Sequence, residues 1–196
     1  MNLRKTLESS DKIKYEIYLS GITEETVRAI SAAQDEPERM LKLRLDSFEI
    51  FKNLPMPSRW PDLSWLDLND IVYYAKPSQE NAWYATVRED VDPEIKKKFD
   101  RLWIPEAERK YLAWAGWQYD SLNVYHNIKE TRAKKWILFE DMPEAVRKHW
   151  DLVQKYFMKL VTARDHKFAA LHWAAWSGWT FIYVPKWVKL DEPLQA

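Results

Sequence analysis

Three glycines in 196 residues leave this backbone few places to pass through the left-handed region, where a Cβ crowds the following carbonyl oxygen. Average usage near 7% would give roughly fourteen. The shortage excludes a Gly-rich loop that cradles phosphate, because such loops need several glycines within a few residues. The same chain carries 12 tryptophans, an unusual number for its length.

At three positions the two anomalies meet. Trp103 follows the helical end Asp100-Arg101-Leu102 and precedes Ile104-Pro105. That is the place after a helix where a left-handed residue, usually glycine, is wanted. Trp136 follows Ala133-Lys134-Lys135, again between a helical end and a strand. Trp187 follows Pro185-Lys186 after a β-rich run, where a type II turn places glycine. One cause accounts for both counts: a UGA codon that some bacterial lineages read as glycine, translated here as tryptophan. TGA codons at Trp103, Trp136 and Trp187 are the expected result, and TGG there overturns the idea.

Lys+Arg and Asp+Glu are equal at 30 each, so no global basic field draws nucleic acid and no acidic excess solvates the chain. The absence of cysteine excludes disulfides, Cys-ligated zinc and Cys-ligated iron–sulfur clusters within this chain. The first residues, MNLRKTLESSDKIKYEIY, are charged and contain no long apolar run, unlike a signal peptide. No window holds eighteen consecutive apolar residues, so no membrane span is expected and the cytoplasm is the default location.

In chain order, residues 1–20 read as an extended tail with Tyr15, Ile17 and Tyr18 as docking points. Residues 21–118 read as a helical region. Thr23 caps a first helix running to about Gln34, with Glu24 and Glu25 in its first turn. Glu36-Pro37 opens a second, whose Met40, Leu41, Leu43, Leu45, Phe48, Ile50, Phe51 and Leu54 spread over a wide apolar face, and Pro55 and Pro57 end it. A helical turn is expected at Leu66–Ile71, a strand at Val72–Tyr74 and a flexible insertion at Gln79–Asp92. Helices follow at Pro93–Leu102 and from Pro105 to Gly116. Residues 119–196 read as a mixed α/β segment: strands at Tyr119–His126 and Trp136–Phe139, helices at Met142–His149 and Asp151–Phe157, and a charged loop at Thr162–Lys167. The last part, Phe168–Val188, joins an apolar helical run to a Ser-Gly break, a β-rich run and a Pro turn.

No constellation carries chemistry. His126, His149, His166 and His172 lack metal-ligand spacing, and HExxH and GxSxG are absent. The pairs Glu24-Glu25, Asp35-Glu36 and Glu140-Asp141 stand at helix starts and read as dipole partners. Lys96-Lys97-Lys98 reads as a solvated face. Catalytic, cofactor-binding and metal-binding residues are therefore expected to be none, and the chain is read as no enzyme.

Six stretches together resemble the N-terminal part of SufB, the scaffold subunit of the SUF iron–sulfur cluster assembly system. They are EPERMLKLRLDSFEIFKNLPMP, Ile71–Pro77, FDRLWIPEAERKYLAWAGWQYDS, VYHNIKE, DLVQKYFMKLV and KFAALHWAAWSGWTFIYVPKWVKLDEPLQA. The last is the most distinctive, being similar to a family pattern AVWSGG-(S/T)FIYVPKGV. The resemblance maps glycine onto Trp60, Trp65, Trp103, Trp114, Trp136, Trp179 and Trp187, and keeps Trp176 as tryptophan. It implies an α+β fold in which a mainly helical N-terminal region leads into the first strands of a right-handed parallel β-helix, truncated here. It implies a SufD-like paralogue and a SufC-like ATPase as partners, mainly through regions beyond this chain, and the SufBCD complex as setting. The cluster is implied for the full-length family protein; its proposed ligands, a Cys and acidic residues far downstream, have no counterpart here.

The resulting expectation is an N-terminal scaffold fragment with a structural role, in which Phe181 and Tyr183 share one strand face and Ile182 and Val184 the other. The competing reading is a stand-alone helical module that stacks a ligand on exposed Trp and Tyr. Rings converging on one groove would favour it.

Overall fold

The computed structural model describes residues 15–58, 62–77, 114–119, 122–128, 136–190 and 194–195. The expectations for Gln79–Asp92, Pro93–Leu102, Lys96–Lys98, Trp60 and Trp103 lie outside them. Described elements are β1 (Tyr15–Ser20), α1 (Glu24–Ala33), α2 (Glu38–Asn53), β2 (Val72–Pro77), β3 (Trp114–Tyr119) and β4 (Leu122–Ile128), then β5 (Leu138–Asp141), α3 (Met142–Lys148), α4 (Trp150–Tyr156), α5 (Lys167–Ala175), β6 (Thr180–Tyr183) and β7 (Leu194–Gln195). The fold is mixed α+β.

The first helix starts where its chemistry dictates. The Thr23 hydroxyl accepts from the Thr26 amide at 3.1 Å, satisfying a donor the helix cannot. Glu24 accepts two bonds from Arg28 one turn on. At the other end the Asp35 amide donates to Ala32 and the Glu36 amide to Ser31, a Schellman closure with Asp35 at φ 49 where glycine is usual. Pro37 is the N-cap of α2, its missing N–H being one that a helix start leaves unbonded anyway.

The main core lies between α2 and α5, closed by α1, α3 and α4. Met40, Phe48 and Phe51 of α2 are buried with Val27 of α1, Val146 of α3, Val153 of α4 and Ala170, Trp173 and Ala174 of α5. The small side chains of Ala170 and Ala174 in this core let α2 approach α5 closely. A second, smaller cluster forms where Ile137 and Phe139 meet Val188 and Leu190.

Three short sheets accompany this core. β1 pairs antiparallel with β2, so β2 extends beyond Tyr74 to Pro77. Gly21 leaves β1 at φ +73, and a Cβ there would stand 3.3 Å from the Asn69 carbonyl oxygen, so this turn requires glycine. β3 pairs antiparallel with β4 and, through two residues, parallel with β7. β5 pairs antiparallel with β6.

One expectation needs correction, and a second is met only as a single turn. The helix expected to run from Pro105 to Gly116 does not reach its end, because Trp114–Tyr119 is a strand in register with Leu122–Ile128. The ladder satisfies backbone groups that a short helix tail would leave open. The turn expected at Leu66–Ile71 is present as a single hydrogen-bonded turn, the Asp70 amide donating to the Asp67 carbonyl at 3.3 Å, and does not grow into a helix. Asp62 and Asp67 each accept from the amide two residues on, Ser64 at 2.9 Å and Asn69 at 2.8 Å, and these Asx turns compete with helix bonds.

Candidate functional site

Within Phe168–Val188, His172, Trp173, Trp179 and Phe181 form one side of an open apolar cavity whose other side comes from α3, α4 and the turn after α4. His166 caps α5, its Nδ1 accepting from the Ala169 amide at 3.2 Å. The helix ends at Trp176, and Gly178 (φ 66) turns the chain into β6. Along β6 and the residue after it, Ile182 and Val184 are exposed while Phe181 and Tyr183 are half-buried, the alternation expected of the strand.

Four aromatic rings gather where α5 hands over to β6. Phe157 meets Trp173, Trp176 and Trp179 edge-on, with centroids 5.0, 5.7 and 6.2 Å away. Trp176 and Trp179 lie 5.5 Å apart. The Trp173 indole donates to the Val161 carbonyl at 2.9 Å, pinning the turn after α4. Beside this cluster is an open cavity of about 500 Å³, with Met142, Val153, Met158, Trp173, Trp179 and Phe181 in its lining. His172 borders it, 4.8 Å from Trp179.

Partial desolvation pushes His172, whose side chain still reaches solvent, below the ordinary histidine value of 6.5. The unfolded chain therefore takes up this proton first as pH falls below about 6.5. The stability contribution is full above that pH and is lost as pH falls towards the lower folded value. His172→Phe is expected to lose less stability than the parent between about pH 7.5 and about pH 5.5, read from urea midpoints. Equal losses in both proteins would refute a titrating role for His172.

A buried polar node holds the other side of α5. The Arg44 guanidinium grips Glu36 with two bonds of 2.7 Å, both side chains fully buried. It also donates to the Ala174 and Trp176 carbonyls at 3.0 Å each and lies 4.4 Å from the Trp176 ring centroid. Glu36 is thus no dipole partner at a helix start, as its position suggested, but the counter-ion of Arg44. Asp141 does stand at the N-cap of α3, without a side-chain cap bond, while Glu140 faces His149 at 3.3 Å.

The remaining candidate groups are committed to structure. Lys167 donates to the Phe51 and Leu54 carbonyls at 2.7 and 2.8 Å, closing the end of α2 beside a second cavity. His126 falls within β4. Among the described residues no group of three or more His, Asp or Glu could hold a metal ion, and no helix is long and apolar enough to cross a membrane.

The tryptophans do not line one groove. Trp173, Trp176 and Trp179 converge, but Trp65, Trp136 and Trp187 are 75%, 82% and 90% exposed and scattered. Trp136 and Trp187 adopt φ 59 and φ 71. Trp187 is the third residue of a turn closed by the Val188 amide on the Pro185 carbonyl at 3.1 Å. Trp65, Trp114 and Trp179 are not among the described residues at positive φ.

Comparison with known proteins agrees with the terminal stretch. Residues 118–196 match the family described as SufBD protein N-terminal region. An iron-sulfur cluster assembly SufBD family protein of Staphylococcus aureus (strain USA300) is 50% identical over 178 residues, covering 90% of this chain and 37% of the relative. Its counterpart in Staphylococcus haemolyticus (strain JCSC1435) is 49% identical over the same shares. The chain is of the SufB/SufD type. It spans 37% of the length of these curated relatives. The matched residues include the α5–β6 junction and β6, the stretch that gives the SufBD resemblance its most distinctive pattern.

Proposed function

We propose that this chain is the N-terminal portion of a SufB-type scaffold in iron–sulfur cluster assembly, with a structural and assembly role and no enzymatic one. The observation that carries the reading is the match of residues 118–196 to the N-terminal region of SufBD proteins. The tail at 1–20, the helical region at 21–118 and the mixed segment at 119–196 would form a cover over the end of a parallel β-helix. Such an end needs a cover, because it exposes strand edges and apolar interior. The cluster is the cargo of the complete scaffold, and its ligands would come from outside this chain, which has no cysteine. A SufD-like paralogue and a SufC-like ATPase are the partners, in the cytoplasm.

The test uses the full reading frame that contains these residues, co-expressed with the two partners. Deleting the portion that corresponds to residues 1–196 is expected to lower the yield of assembled complex and the cluster it carries. Undiminished assembly and cluster content after deletion would refute the role. A cluster assembled stoichiometrically on residues 1–196 alone would refute the absence of ligands.

A further inference from the structure

The open groove beside α4 and α5 has an apolar floor and a polar rim. Met142, Val153 and Trp173 in its lining are buried, whereas Tyr156, Lys159 and His172 are exposed at its mouth. Among the described residues the lining contains no carboxylate. Lys159 is its only charged side chain at neutral pH, because partial desolvation keeps His172 neutral there. Lys159 makes no ion pair with a described residue. The mouth is fixed in advance: Met158 adopts φ 58, the Phe157 ring is packed among Trp173, Trp176 and Trp179, and the Val161 carbonyl is held by the Trp173 indole. A non-glycine residue kept at positive φ implies that its surroundings fix it there. A preformed apolar pocket with a few polar groups on one side is the form small-molecule sites take, and about 500 Å³ falls within their usual range of roughly 300–1,000 Å³.

We propose that this groove binds a small apolar carboxylic acid, an alkanoate or arylalkanoate, with its tail on the floor and its carboxylate at Lys159. The charge pattern selects the class. A cationic amphiphile would set its head against the Lys159 ammonium, with no carboxylate in the lining to offset the repulsion. A neutral apolar molecule would fill the floor and leave the polar groups of the rim unused. An acid uses both. Its tail removes water from Met142, Val153 and Trp173, and its head accepts a charge-assisted hydrogen bond from Lys159, with the Tyr156 hydroxyl as a second donor on the same rim. The head stays at the solvent boundary, so the ion pair adds little and the tail supplies most of the affinity. The fixed mouth lowers the cost of binding, since little has to be ordered when the ligand enters.

The test is titration calorimetry on the full-length protein, with decanoate as the probe. One decanoate per chain is expected, bound about threefold more tightly than decan-1-ol. Each methylene removed from the tail is expected to weaken binding about fourfold. Lys159→Glu is expected to reverse the preference, weakening decanoate and admitting decyltrimethylammonium. Lys155→Glu, on α4 but outside the lining, should change neither. Both lysines are exposed, and a circular-dichroism melt checks that each variant folds. Should Lys159→Glu not fold, Lys159→Gln carries the test, through loss of the threefold preference for the carboxylate over the alcohol. No saturable binding to the full-length protein overturns the proposal, as when another part of the assembly covers the groove. Equal affinities of the parent for decanoate and decyltrimethylammonium overturn it, and so does an unchanged decanoate affinity in Lys159→Glu. Binding to phosphatidylglycerol vesicles with no response to free decanoate overturns it as well, since a lipid surface would then be the ligand.

Discussion

Replacing Arg44 with methionine is expected to destabilise the fold by about 3–5 kcal/mol, the range for breaking a buried ion pair from one side. The loss has three sources. The Glu36 carboxylate is left fully buried without its counter-ion. The Ala174 and Trp176 carbonyls lose a charged donor at the C-terminal end of α5. The Trp176 ring loses a cation over its face, a contact worth about 2 kcal/mol when desolvated. Glu36→Gln keeps the shape but leaves the guanidinium without a charge partner, and is expected to be costly as well. The double variant Glu36→Gln/Arg44→Met should cost clearly less than the two single losses added, because neither charge then remains alone. Urea unfolding of the three variants measures this. A loss under about 1 kcal/mol for Arg44→Met, as for a surface pair, would show that water reaches the node. The pair is not evidence of net stability against an apolar core. Its effect is positional: one guanidinium ties the loop before α2, the body of α2 and the end of α5 into one arrangement, and β6 starts four residues beyond Trp176.

The backbone skeleton was legible wherever the signal was local. Thr23 announced α1, Pro37 and the Pro55/Pro57 pair bracketed α2, and Ser177-Gly178 marked the break between α5 and β6. Arg44 was not legible. It lies at i+4 from Met40 and i−4 from Phe48, within the buried stripe, but a charged residue inside an apolar face reads as an interruption. Its partner Glu36 lies eight residues away, outside the i+3 and i+4 spacings by which helix pairs are found. The β3–β4 hairpin was half legible: the second strand showed in Leu122, Val124 and Tyr125, while Lys110-Tyr111-Leu112-Ala113 carried the helical reading on into a stretch whose register is set by β4. The groove could not be read at all. Its walls come from α4, the turn after it, α5 and β6, and only tertiary packing brings Tyr156 and Phe181 to one opening.

Substituting glycine for Trp136 and for Trp187 is expected to stabilise this chain by about 1 kcal/mol each and about 2 kcal/mol together. The left-handed conformation costs an L-residue roughly 1–2 kcal/mol, against the 0.5–1 kcal/mol of extra chain entropy that glycine loses on folding. Both rings are almost wholly solvated, so little packing is lost in return. The closed Pro185–Val188 turn keeps its hydrogen bond in either form, since only the third residue's side chain changes. Two further substitutions serve as controls, because sequence resemblance maps glycine there while the backbone does not ask for it. Trp65→Gly should bring no gain, its backbone not being left-handed and its indole donating to the Asp62 carbonyl at 3.0 Å. Trp179→Gly should destabilise, because it removes a ring that touches Phe157, His172, Trp173 and Trp176. Circular-dichroism melts avoid the fluorescence that these changes remove. The order Trp187→Gly and Trp136→Gly above the parent, with Trp179→Gly below it, separates strain at a turn from a general benefit of fewer exposed rings. The gene supplies the independent half of the test. TGA at codons 136 and 187 with TGG at 176 would make the glycine forms the natural ones, and the strain a product of translation. TGG at 136 and 187 would mean that the chain carries the strain itself, and the stabilisation by glycine would still be measured.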